Sequence, residues 1–110
     1  LAVNPATPIC VLEEVLDYID GINLLMVNPG FAGQKIVKST LKKAEKLKNM
    51  LIEYNKENLL FQVDGNITPE NGKKLKKIGA EIFVAGTSSI FKGTVEEYAN
   101  NIDAFRSALI

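Results

Sequence analysis

The chain has 110 residues, 46% of them hydrophobic, and its thirteen Lys and Arg balance thirteen Asp and Glu. This describes one small globular domain rather than a disordered segment, and the even charge speaks against nucleic acid or an acidic membrane as partner. Cys10 is the single cysteine and histidine is absent, which excludes an internal disulfide, a His-based triad and a His metal ligand from these residues alone.

No apolar run approaches the roughly 18 residues of a membrane helix, and no signal peptide is visible. With one cysteine, the expected compartment is the reducing cytoplasm. The chain begins without Met, inside the strand-like run Leu1-Ala2-Val3-Asn4, so a fragment or processed piece is expected rather than a natural start.

That first run reads as a short buried strand, stopped by Pro5 to Pro8. Thr7 is placed to cap a helix and Pro8 to open it. Leu12, Val15, Leu16 and Ile19 then recur at helical spacing through about Asp20. Gly21 breaks the pattern. Ile22 to Val27 is an apolar run interrupted only by Asn23, the mark of a strand buried on both faces. Asn28 to Gly33 is a loop with two glycines.

A long helix is predicted from about Val37 to Lys56, with Val37, Leu41, Ala44, Leu47, Leu51 and Tyr54 on its apolar face. Its lysines read as a solvated face, because Glu45, Glu53 and Glu57 dilute the charge. Leu59 to Val63 is the third strand. Thr68-Pro69-Glu70 supplies cap, proline and early acid for a helix that Gly79 ends. Glu81 to Ala85 is the fourth strand. Thr94 and Glu97 have capping-box spacing, and Val95, Tyr98, Ile102, Phe105 and Leu109 face inward on the last helix.

Strand followed by helix, four times over, predicts parallel strands joined by helical crossovers. Four βα units form either a small open sheet or half of a (β/α)8 TIM barrel. The half-barrel is favoured because polar and glycine residues gather after the strands, on the face where barrel active sites sit. A doubly wound sheet would use a switch point instead, and no G-x-G-x-x-G follows the first strand.

The chemistry centres on Gln62-Val63-Asp64-Gly65-Asn66, where a strand breaks into a turn before a helix. Asp64 is the candidate acid or base; an aspartate bonded to its own turn is the alternative. Glycines let backbone N–H groups approach an anion closely. Gly86-Thr87-Ser88-Ser89 is placed to open a short helix whose amides favour a phosphate, with hydroxyls from Thr87 and Ser88 as further donors. Met26, Phe31 and Phe91 are candidate walls for a ligand.

Val27 to Gln34, then Val63-Asp64-Gly65, then Val84 to Phe91, in this order, resemble the ribulose-phosphate 3-epimerase family. Leu1 to Pro8 resembles that family's fifth strand and loop. Phe-Ala-Gly-Gln and Gly-Thr-Ser-Ser-Ile-Phe look closer to its allulose-6-phosphate branch. The resemblance implies an α/β fold, the second half of a (β/α)8 TIM barrel, in which residues 1–110 are the C-terminal half of a single-domain enzyme. It implies a ketose phosphate substrate inverted at C3 by two aspartates through a cis-enediolate, around a divalent metal (Zn, Mn, Mg, Fe or Co).

Asp64 matches one of those aspartates and a metal ligand. Gly30, Phe31, Ala32, Gly33, Gly65, Gly86, Thr87 and Ser88 match the phosphate-binding loops. The partner aspartate, two metal-binding histidines and an early serine would belong to residues preceding this chain. Leu25 stands where the family usually has Met, and Asn66 where it has a second glycine. The complete protein is expected to be a homo-oligomer, and these residues alone inactive. The alternatives are another phosphate-binding barrel enzyme and a non-catalytic phosphate-binding half-barrel.

Overall fold

A computed structural model describes residues 1–110. Four parallel strands form one sheet in the order β1-β2-β3-β4: β1 Ala2–Val3, β2 Gly21–Leu25, β3 Leu60–Asp64 and β4 Ile82–Val84. Three α-helices alternate with them: α1 Ser39–Glu53, α2 Pro69–Ile78 and α3 Tyr98–Ala108. A strictly sequential order has no reversal point, so the doubly wound alternative is excluded. The sheet is that of a segment of a (β/α)8 barrel.

Alternation along the strands decides which face is covered. Ile22 and Leu24 of β2, and Phe61 and Val63 of β3, are fully buried against the helix layer, where they meet Leu47 and Leu75. Each such side chain contributes about 1.5–3 kcal/mol by leaving water. The other face is not covered. Gly21, Asn23 and Leu25 are only half-buried, Leu60 is 47% exposed, and Ile82 and Val84 are exposed too. The expectation that β2 is buried on both faces therefore fails within these residues, because no layer packs on the second face.

Helix boundaries follow local chemistry where caps exist. At α2, Thr68 Oγ1 accepts the Asn71 N–H at 3.1 Å, and Gly79 ends the helix with φ +125°. The first helix differs from expectation. Ile9–Tyr18 is a 3₁₀ run, with Leu12 and Leu16 buried. Thr7 does not cap it, no acidic residue occupies its first turn, and β-branched Ile9, Val11 and Val15 favour α-helix little.

α1 begins at Ser39 rather than Val37, and the Val37 N–H, which has no intrahelical acceptor, bonds the Met26 carbonyl at 2.8 Å. It ends at Glu53 rather than Lys56. Asn55 takes φ +55°, and the Lys56 N–H closes back onto Leu51 at 2.7 Å, a stop that glycine commonly provides. Tyr54 is consequently exposed, while Met50 is buried. Val95 is also exposed, since it lies in the 3₁₀ turn Val95–Glu97 ahead of α3. No helix is long and apolar enough to cross a membrane.

Candidate functional site

Parallel strands deliver all their following loops to one end of the sheet. Leu25, Asp64 and Val84 lie level in register there, at the last residues of β2, β3 and β4. The loops after these strands enclose a cleft of about 330 Å³.

The β2 loop is held by its own side chain. Gln34 Nε2 donates to the carbonyls of Asn28 at 2.8 Å and Phe31 at 2.9 Å. Phe31, Ala32 and Gly33 line the cleft. Gly30, grouped with them from sequence, does not line it. Phe31 is 75% exposed, so it stands at the mouth rather than inside a wall. Met26 is not a wall either: it points into the helix-side core, and Val27 takes its place in the lining.

After β3, Asp64 is half-buried and lines the cleft. Neither of the chain's two ion pairs, Lys56–Asp17 and Lys74–Glu70, occupies its carboxylate. Its carbonyl accepts the Met26 N–H at 2.7 Å, which fixes the backbone at the strand end. Gly65 follows with φ +107° and also lines the cleft.

After β4, no helix opens at Gly86. The N–H groups of Ser89, Ile90 and Phe91 converge on the Gly86 carbonyl at 3.2, 2.9 and 3.1 Å, making one tight turn. Asn101 Nδ2 holds its far side by donating to the carbonyls of Ile90 at 2.8 Å and Lys92 at 3.0 Å. A turn this short carries no helix dipole to speak of, so the short helix predicted to open at Gly86 and favour a phosphate does not form. The amides of Thr87 and Ser88 stay out of these turn bonds, and Gly86, Thr87 and Ser88 line the cleft.

Asn66 joins the three loops, a role that sequence reasoning missed. Its Oδ1 accepts the Ile36 N–H at 3.0 Å, from the segment after the β2 loop. Its Nδ2 donates to Ser88 Oγ at 3.2 Å, in the β4 turn. Asn71 Nδ2 donates to the Asn66 carbonyl at 3.0 Å and to Oδ1 at 3.3 Å. Asn66 itself sits at φ +51°, a conformation that Asn tolerates better than most residues. The available signal was this residue type directly after a glycine turn.

No group of three or more His, Cys, Asp or Glu capable of holding a metal ion occurs in the chain. Asp64 is the one carboxylate of the cleft. These residues alone do not fit a metal centre.

The fold and site thus define an α/β protein built as a barrel segment, with its cleft at the C-terminal strand ends, where barrels of this kind carry their active sites. Residues 1–91 match the family model described as the ribulose-phosphate 3 epimerase family, and the chain belongs to that family. It is 47% identical over 109 residues to a ribulose-phosphate 3-epimerase of Buchnera aphidicola subsp. Baizongia pistaciae, covering 99% of this chain and 46% of that protein. It is 41% identical over 88 residues to the Bacillus subtilis ribulose-phosphate 3-epimerase, covering 80% of this chain and 41% of the relative. Against the chloroplastic ribulose-5-phosphate-3-epimerase of Arabidopsis thaliana the identity is 37% over 108 residues, covering 98% and 37%. The chain spans about half the length, or less, of these relatives. They do not distinguish the allulose-6-phosphate branch.

Proposed function

We propose that residues 1–110 form the C-terminal half-barrel of a ketose-phosphate 3-epimerase, acting on ribulose 5-phosphate or allulose 6-phosphate. The observation that carries this reading is the Asp64 carboxylate, free of any ion pair, in the same cleft as the loop backbones of β2 and β4.

The amides of Thr87 and Ser88, with Gly33 and Gly65 allowing close backbone approach, bind the substrate phosphate and set the height of the sugar above β3. Asp64 then faces C3 and takes or returns one proton there. Inversion requires a second acid/base on the opposite face, since one carboxylate would return its proton to the side it came from. That group, and ligands for the divalent metal that the family resemblance implies, must come from outside these residues. A metal finds one ligand here, Asp64.

Turnover of both sugar phosphates by the intact protein, with divalent metal added, tests the reading. Interconversion of C3 epimers is expected, and none from residues 1–110 alone. Robust conversion by the isolated 110 residues contradicts the half-site assignment. No conversion of either sugar by the intact protein contradicts the activity.

A further inference from the structure

The geometry points to Asn66 as a positioning residue that occupies one lone pair of Ser88 and turns the Ser88 hydroxyl proton away from itself, free to donate to an anion in the cleft. This rests on the reading of the cleft as a phosphate site, and deepens it by assigning a role outside the binding loops' glycines.

The polarity follows from groups that have no choice. The Ile36 backbone N–H can only donate, so the atom it meets at 3.0 Å must be the amide oxygen of Asn66. The Asn66 carbonyl can only accept, so Asn71 must present its own nitrogen, which also reaches Asn66 Oδ1 at 3.3 Å. Both lone pairs of Oδ1 are then used. The Asn66 amide is locked with its nitrogen toward Ser88, and Nδ2 donates to Ser88 Oγ at 3.2 Å.

A serine hydroxyl has one proton and can otherwise act in either sense. With a donor fixed on its oxygen, its own proton points elsewhere. Ser88 is half-buried and lines the cleft. Its hydroxyl proton is therefore free for a ligand oxygen that accepts, such as that of a phosphate. The relay runs from Ile36 N–H through the Asn66 amide to the Ser88 O–H, across segments 30 and 22 residues from Asn66.

Inorganic phosphate titrated calorimetrically into the intact protein tests this. Asn66→Gly keeps the left-handed backbone and removes the relay. Asn66→Asp keeps the shape, but its second oxygen accepts from Ser88 and turns the hydroxyl's lone pairs toward the cleft. Phosphate affinity is expected to fall on the order of tenfold in Asn66→Gly, the worth of one hydrogen bond to a charged group. It is expected to fall further in Asn66→Asp. In a Ser88→Ala background, Asn66→Gly is expected to cost nothing more, because the two act as one unit.

A loss in Asn66→Gly that persists in the Ser88→Ala background overturns the relay and leaves Asn66 a loop tie only. Ser88→Ala binding phosphate as tightly as wild type also overturns it, with the cleft still standing as a phosphate site. Wild-type protein that binds no phosphate removes both readings.

Discussion

Gly65 lies so close to Val27 that a Cβ at Gly65 would sit 2.6 Å from Val27 Cγ2 and 3.1 Å from the Val27 nitrogen. This contact sets the β2 loop against the β3 turn, and both line the cleft. Gly65 also holds φ +107°, which an L side chain rarely adopts. Gly65→Ala is therefore expected to destabilise by about 1–3 kcal/mol. Because the strain falls at the cleft, weaker phosphate binding should accompany the lower midpoint in urea unfolding. Unchanged values of both would show that the approach is not tight.

Thr68 caps α2 through its bond from the Asn71 N–H. Thr68→Ala is expected to cost about 0.5–2 kcal/mol, and Thr68→Ser almost nothing. The same Asn71 reaches Asn66, so the Ala variant should also loosen the β3 turn. Faster amide exchange at Asn66 and Asn71 checks this.

Glu70 is held below the usual glutamate value of 4.5, first by its hydrogen bond from Lys74 and then by that residue's charge. A carboxyl depressed in the folded state adds stability above its unfolded value, and the addition is lost as pH falls through the folded value. Both side chains are largely exposed, so the effect is small and screened by salt. Glu70→Gln is expected to flatten the acid limb of a stability–pH curve below pH 4.5 at low salt, and to change little at high salt.

Leu60, Ile82 and Val84 make an exposed apolar row on the sheet face away from the helices, and β1 and β4 are open edges. Residues 1–110 on their own are expected to self-associate through these groups. Light scattering should give a mass above the monomer's 12.1 kDa. Replacing Leu60 and Ile82 by Lys should lower it. A stable monomer of the unmodified chain would contradict the expectation.

Much of the layout was readable because it rests on short-range chemistry. The start of α2 is written in Thr68-Pro69-Glu70 and its end in Gly79. The cleft's lining was foreshadowed by glycines placed after successive strands. The rest depends on contacts distant in sequence. Val37 is tied by a hydrogen bond to Met26, just past β2, and nothing in the apolar period of α1 shows that. Met26 faces the core because alternation in β2 continues through it, whereas its neighbour Val27 reaches the cleft. The place of Asn66 could not be read, since its partners Ile36 and Ser88 come from other loops. A residue that departs from the family's glycine thus proves to be where three loops meet.

The proposed role of Asp64 is to exchange the proton at C3 of a sugar phosphate held by the neighbouring loops. Solvent deuterium uptake at C3 of ribulose 5-phosphate, followed by NMR in the intact protein and its Asp64→Asn variant, addresses it most directly. Uptake is expected in the wild type, none in the variant, and phosphate binding unchanged between them. Uptake that survives in Asp64→Asn would contradict that role.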